Sequence, residues 1–217
     1  MGKPQSIKKL WSESPPERPV LIMGNSDSVN MFPDELYQKF TTIGCNSRIH
    51  QRYIPDLTLM VDANLPMPDK DATILTQIAK WKDAHPGPIY QFRLGRRMQF
   101  QPDRSTDKVD YSITTVYMAM IIAHMMGSNS IHFVGIDLQA VNGKDYHDEK
   151  KNKPKPLSET RSRFFGKCFN HLSFLINKMA RYYKVQFFSL SPHSLLLTNG
   201  NVKPFKKKEV PHVISKR

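Results

Sequence analysis

At 217 residues and 25.1 kDa, with 39% hydrophobic and 10% aromatic residues, the chain suits one domain with a genuine core and excludes a disordered composition. Its 32 Lys and Arg against 19 acids give a net charge of +13 and a pI near 9.7, a field that favours anionic partners. No stretch approaches the ~20 apolar residues of a membrane span, the first residues have no apolar signal core, and Cys45 and Cys168 lack disulfide-scaffold or metal-site spacing.

In chain order, residues 1–18 are polar and contain Pro4, Pro15 and Pro16, which predicts a mobile lead-in. Pro19 to Met23 is a short apolar run closed by Gly24, the pattern of a buried first strand. A short helix over Asp34–Phe40, a second strand over Thr41–Cys45 and a third over Leu57–Val61 follow, the last closing on Asp62. Ile74, Ile78 and Trp81 share one face of a helix predicted over Asp71–Asp83, stopped at His85-Pro-Gly-Pro88. Ile89–Leu94 reads as a strand, Ser112–Met126 as a buried helix ending at Gly127, and Ser130–Val134 as a strand ending in Gly135-Ile-Asp137.

A basic, Pro-bearing segment comes next. Residues 144–167 hold eight bases against four acids, and the final residues 203–217 carry a net +5. Between them, a helix over Thr160–Tyr183 places Phe164, Phe165, Cys168, Leu172, Leu175 and Met179 on one side, and Val185–Leu190 forms a last strand. Strands alternating with helices argue for an α/β, Rossmann-like, doubly wound and mostly parallel sheet. The expected organisation is a flexible segment at 1–18, a nucleotide-binding domain at 19–197 with a lid-like loop at about 139–160, and a basic tail at 198–217.

In such sheets ligands sit beyond the carboxyl ends of the strands, where strand order reverses. The polar strand ends are therefore the candidate nucleotide-binding residues: Gly24, Asn25, Ser26 and Ser28; Asn46 and Ser47; Asp62; Gly135 and Asp137. Glycine permits a sharp turn and a close approach to a ligand, while an asparagine both donates and accepts. Thr114 and Thr115 open the Ser112–Met126 helix, where free amides suit an anion and plain capping is the competing use. Asp137 reads as a loop anchor more readily than as a catalyst, and Asp62 alone makes a poor metal site. His124, His132 and His171 lie in apolar elements and read as packing; His147 and His193 follow strand ends and are the acid–base candidates.

Several of these motifs, in this order, resemble the bacterial lipooligosaccharide sialyltransferases. They are Val-Leu-Ile-Met-Gly-Asn-Ser-Asp-Ser, Gly-Cys-Asn-Ser, Ile-Thr-Thr-Val-Tyr-Met-Ala-Met, Ile-His-Phe-Val-Gly-Ile-Asp-Leu, and Tyr-Lys-Val-Gln-Phe-Phe-Ser-Leu-Ser-Pro-His-Ser-Leu-Leu, and they cover about residues 19–197. The resemblance implies a metal-independent transferase that uses CMP-sialic acid and has a lid inserted late in a Rossmann-like domain. It places Asn25 near phosphate and sugar, Asn46 and Gly135 near the nucleotide, Thr114 at a donor-contacting serine, and Tyr146 near the leaving phosphate. The chain departs from that pattern at Gln139, where the family has a tyrosine, and near Ser162 or Arg163, where it has the lid histidine proposed as general base. A third-strand asparagine is replaced by Asp62 or Asn64. A more distant resemblance is to MptE-like proteins, which include pterin pyrophosphokinases.

The reading is a glycosyltransferase with Tyr146, His147 and His193 as catalytic candidates, a nucleotide-sugar co-substrate, no permanently bound cofactor and no metal. Its acceptor would be a glycan or another polyanion, such as modified bases in the DNA of a bacterial virus. Two alternatives stand beside it. One is a nucleic-acid-binding or regulatory domain that kept the fold and lost catalysis. The other is a Mg²⁺-dependent pyrophosphokinase-like enzyme. A reduced, cytoplasmic protein without a membrane span is expected; these patterns carry no signal for oligomeric state.

Overall fold

The computed structural model describes residues 4–13, 18–139 and 158–206. In chain order its elements are β1 (Gln5–Ser6), α1 (Ile7–Glu13), β2 (Val20–Met23), α2 (Asp34–Tyr37), β3 (Thr41–Cys45), β4 (Leu57–Met60), β5 (Ile74–Thr76), α3 (Ala79–Ala84), β6 (Ile89–Gln91), β7 (Arg93–Arg97), β8 (Lys108–Tyr111), α4 (Thr115–Met125), β9 (Ser130–Val134), α5 (Glu159–Tyr183), β10 (Gln186–Ser189) and β11 (Val202–Pro204). Short 3₁₀ turns at Asp27–Met31, Ser47–Gln51 and Leu195–Thr198 complete the path.

Nine strands form one sheet in the order β1-β6-β5-β4-β3-β2-β9-β10-β11, and every neighbouring pair is parallel. The chain winds outward from β2 through β3, β4, β5 and β6, then returns to lay β9 on the other side of β2. The switch point therefore lies between β2 and β9, where Met23 pairs with Val134. The fold is α/β and Rossmann-like, as expected.

The period-2 rule of strands divides the core. Val20 and Ile22 join the large cluster with α4 and α5, whereas Leu21 and Met23 face Phe32, Leu36 and Phe40 on the opposite side. Almost every residue of α4 is buried, because the helix is sandwiched between β2–β3 on one side and β8 on the other. Such a helix is apolar all round, and the small β7–β8 ribbon supplies the outer cover.

The structure corrects several expectations. Residues 1–18 are not uniformly a lead-in: β1 pairs with β6, and Ile7, Leu10 and Trp11 of α1 are buried. Within the helix predicted over Asp71–Asp83, residues Ile74–Thr76 instead form the strand β5, and only Ala79–Ala84 is helical. Ile74 and Leu75 are both fully buried, on opposite faces of a central strand, so sheet burial overrode the helical spacing. The Ile89–Leu94 strand divides into β6 and the separate ribbon strand β7. The tail assigned to 198–217 begins inside the sheet, since β11 pairs with β10. Most of the expected lid at 139–160 lies outside the described residues, and 159–160 open α5.

Candidate functional site at the strand switch point

At the switch point two glycines bring the backbones of neighbouring strands together. Gly24 ends β2, and a Cβ there would lie 2.2 Å from the Gly135 carbonyl oxygen; a Cβ on Gly135 would lie 2.7 Å from the Gly24 oxygen. The strands stay joined past their ends, since Gly24 N–H donates to Val134 (2.8 Å) and Ser26 N–H to Gly135 (3.0 Å). Gly135 has φ +68°, a conformation that glycine adopts without strain.

Beyond this pair opens a cavity of about 260 Å³, near the small end of ligand sites. One wall is polar, with Asn25, Ser26, Asn46, Asp62, Thr114 and Thr115. The other is apolar, with Leu65, Ile113, Val116, Phe164 and Phe165. Strand ends supply Asn25, Ser26, Asn46 and Asp62 because a parallel sheet aims all its carboxyl ends one way. The amino-terminal turn of α4 adds Thr114, Thr115 and Val116 to the lining, and the early turns of α5 add Phe164 and Phe165.

Asn25 donates its amide N–H to the Cys45 carbonyl at 2.9 Å, which fixes its orientation and leaves Oδ1 buried without a partner. The Oδ1 of Asn46 is also buried and unpartnered. An orphaned buried amide oxygen costs about 1–3 kcal/mol, so two of them in the residues lining one cavity mark a surface built for a donor. Asn46 is also strained, with φ 74° and ψ 162°, a region occupied almost only by glycine. Its N–H is held by Leu59 at 3.0 Å while the next residue enters a 3₁₀ turn anchored by Ser47 Oγ on the Pro66 carbonyl at 2.6 Å.

Asp137 is fully buried, and its Oδ1 accepts from Ser28 at 2.8 Å and from Ser191. The Ser28 hydroxyl also accepts from Gly135 N–H (3.1 Å), and Ser26 Oγ accepts from Asp137 N–H (3.2 Å). Although Asp137 borders the cavity, this network knits the β2 and β9 ends to the Ser191–Leu195 turn, as its reading as a loop anchor anticipated. Thr114 caps α4, its side chain accepting from Val116 N–H at 3.3 Å. Val116 and Tyr117 N–H are taken up by the Thr114 side chain and carbonyl, so the positive end of the helix dipole is offered to the cavity chiefly at the Thr115 amide.

Of the nucleotide-binding candidates, Gly24, Asn25, Ser26, Asn46, Asp62, Thr114, Thr115, Gly135 and Asp137 all line this one cavity. Ser28 and Ser47 do not; both are buried in supporting hydrogen bonds. His193 is exposed and absent from the lining, meeting the site only through its carbonyl, which accepts from the cavity residue Gln139. Tyr146 and His147 lie outside the described residues. Sequence reasoning treated Phe164, Phe165 and Cys168 as packing against the sheet, yet they form cavity wall. Arg161, one turn before Phe165, sets its guanidinium 5.0 and 5.5 Å from the ring centroids of Phe165 and Phe164. Clustering of aromatics after a basic residue at a helix start was the available signal.

Burial pushes the Cys45 thiol up to about 12 and the Cys168 thiol to about 11, so neither is an activated nucleophile. Among the described residues no group of three or more His, Cys, Asp or Glu is placed to hold a metal ion. No described helix is long and apolar enough to cross a membrane.

Fold and cavity define an α/β protein with a partly polar crevice at the switch point of a parallel sheet. Known structures with a similar chain course are sialyltransferases of Campylobacter jejuni. The sialyltransferase CstII in complex with cytidine-5′-monophosphate aligns at 15% identity and a TM-score of 0.46, over 86% of this chain and 85% of that one. CstII with CMP-3FNeuAc aligns at 13% identity and a TM-score of 0.42, over 86% of each chain. An apo α-2,3-sialyltransferase from the same organism aligns at 13% and 0.41, over 84% of this chain and 79% of that one. At these values the likeness carries no weight for the chemistry. No protein-family model and no curated protein matches the chain.

Proposed function

We propose that the switch-point cavity seats the nucleoside phosphate of an activated sugar, and that the protein is a glycosyltransferase. The observation that carries this reading is the convergence of Asn25, Asn46, the Gly24–Gly135 contact and the α4 amino terminus on one cavity. These parts suit different portions of one ligand. The positive end of the α4 dipole, with the Thr115 amide, favours a phosphate. The fixed Oδ1 of Asn25 is an acceptor, which repels phosphate oxygens and fits a sugar hydroxyl or the exocyclic amine of a base. The apolar wall covers a ring face. The ordered motifs shared with the CMP-dependent sialyltransferases favour CMP as the nucleotide.

In the proposed reaction an acceptor hydroxyl oxygen attacks the anomeric carbon of the donor. The bond from that carbon to the phosphate oxygen breaks, and the nucleotide leaves with the electron pair. The α4 terminus stabilises the charge that develops there, with Arg161 as a nearby cation. Tyr146 is assigned as donor to the departing phosphate and His147 as base for the acceptor proton. Both belong to the segment between Gln139 and Ser158, and Gln139 before it and Phe164 of α5 after it line the cavity.

Calorimetry in EDTA against CMP, CMP-sialic acid, UDP-sugars and GDP-sugars tests the reading, followed by an assay of nucleotide release. Binding of one donor is expected, weakened about tenfold or more in Asn25→Ala. Tyr146→Phe and His147→Ala should lower kcat while leaving donor KM nearly unchanged. A folded protein that binds none of these nucleotides ends the proposal, and binding that requires Mg²⁺ transfers it to pyrophosphoryl chemistry.

A further inference from the structure

The outward side of α5 carries a pattern that the cavity does not use. At about 100° per residue, Arg163, Lys167, Phe174, Lys178 and Arg181 fall within roughly 60° of arc. Phe165, Cys168, Leu172, Leu175 and Met179, on the other side of the helix, are buried. Arg163, Lys167, Phe174 and Arg181 are exposed and Lys178 is half-buried. From Arg163 to Arg181 the stripe runs about 27 Å at the helical rise. The helix has five bases against one acid, Glu159, whose exposed pairing with Arg163 is of the kind that contributes little.

Two neighbours widen the stripe. Tyr182, 63% exposed, lies on its edge with the Arg181 guanidinium 5.3 Å from its ring centroid. On the same flank, burial and then the charges of Arg97 and Lys167 hold the His171 imidazole below its ordinary range, which places Arg97 of β7 close by.

We infer that this face of α5 binds single-stranded nucleic acid, with Arg163, Lys167, Lys178 and Arg181 on the phosphates and Phe174 beneath a base. Charge complementarity in a chain of net +13 selects a polyanion. The position of Phe174 narrows the class. It is 45% exposed and stands in line between Lys167 and Lys178, so a single aromatic ring is flanked by cations along one track. A strand presents base faces beside its phosphates, which suits a ring set among cations. An acidic glycan would lay only C–H groups on the ring, a poorer match than the stacked face of a base. An anionic bilayer is met by aromatics gathered on an apolar face with bases on the polar side, which is not the arrangement here. The length of the track suits the ~4 nucleotides or more of the smallest single-strand sites. This surface needs neither a bound donor nor glycosyl transfer, and stands or falls apart from the cavity.

Fluorescence anisotropy with a short labelled oligo(dT), over a salt series and with the full chain, tests it. The wild type should bind with log K falling linearly against log salt. In Lys178→Gln/Arg181→Gln the slope should become shallower by about 1.4, at ~0.7 per single-strand phosphate contact. Phe174→Ala should weaken binding about tenfold without altering the slope. All three positions face outward, so unchanged thermal unfolding and unchanged cavity nucleotide binding are expected in both variants. The inference is overturned if both variants bind like wild type. It is equally overturned if the cation variant alone loses affinity, which makes the surface a general polyanion track. Anionic phosphatidylcholine–phosphatidylglycerol vesicles bound through Phe174 in place of the oligonucleotide would also reject it.

Discussion

Replacing Asn46 with glycine separates what the cavity needs from what the fold needs. At φ 74° and ψ 162° the native backbone stores about 1–3 kcal/mol that glycine does not incur. Against that, glycine adds about 0.4–1 kcal/mol of unfolded-state entropy. No side-chain capping bond is lost, and the Asn46 N–H bond to Leu59 survives the change. The net expectation is a protein as stable as the wild type or more stable by up to about 2 kcal/mol, a rise of several degrees in Tm at ~2–4 °C per kcal/mol. The buried Oδ1 disappears with the side chain, so affinity for the bound nucleotide should fall about tenfold. Asn46→Ala loses the same oxygen but keeps a Cβ at positive φ, and should be less stable than Asn46→Gly by at least about 1 kcal/mol. Urea unfolding paired with calorimetry reads both quantities on each variant. The reasoning is refuted if Asn46→Gly is destabilised by more than about 1 kcal/mol, or if it binds nucleotide as tightly as the wild type.

Three further outcomes follow from the same geometry. Gly24→Ala drives a Cβ to 2.2 Å from a backbone oxygen of Gly135, so a loss of about 2–4 kcal/mol is expected in urea; a change within ~0.5 kcal/mol would contradict the close approach. Burial pushes His132 down to about 3. The unfolded chain then takes up a proton near pH 6.5 that the folded chain refuses, and stability falls as pH drops from about 6.5 towards 3, by up to ~1.4 kcal/mol per unit; His132→Phe should show a shallower acid limb, and an identical limb would dispose of the assignment. Cys45 and Cys168 should react with a thiol reagent at neutral pH at least roughly a hundredfold more slowly than free cysteine, and normally once unfolded; rapid labelling of the folded protein would show that burial is not raising them.

The centre of the sheet was legible in the sequence because its strands are buried on both faces and end in small or polar residues. β3 and β9 coincide with the predicted ranges, and β2, β4 and β10 differ only at their ends. The switch point was legible for the same reason, as Gly24 and Gly135 punctuate apolar runs. The edges were not. β1 has two exposed residues and β7 has Arg at three of five positions, so neither carries a hydrophobic period, and both are defined only by their neighbours. β5 was read as helix because Ile74, Ile78 and Trp81 satisfy a 3–4 spacing by chance of a strand preceding a short helix. The polar wall of the cavity could be read one strand end at a time. Its apolar wall could not, since Phe164 and Phe165 look the same in sequence whether they meet a sheet or a ligand.

Half of the positive-φ residues among the described ones fall where the proposed ligand sits, with Met98, Lys184 and Gly127 elsewhere. Asn46, Leu138 and Gly135 all have positive φ and all line the cavity. Two of the three carry a Cβ and are costly there, and the orphaned oxygens of Asn25 and Asn46 add to that cost. A cavity whose only task was to join β2 to β9 would gain stability by placing glycine at 46 and apolar side chains at 25. The Asp137 network shows that the joining is already complete without them, because Ser28, Ser191 and the Gly24–Val134 and Ser26–Gly135 hydrogen bonds hold the strand ends together. Gly24, Ser26, Gly135 and Asp137 belong to both the frame and the lining, whereas the side chains of Asn25 and Asn46 take no part in joining β2 to β9. A ligand that donates to both amide oxygens would supply the interactions the wall leaves unmade.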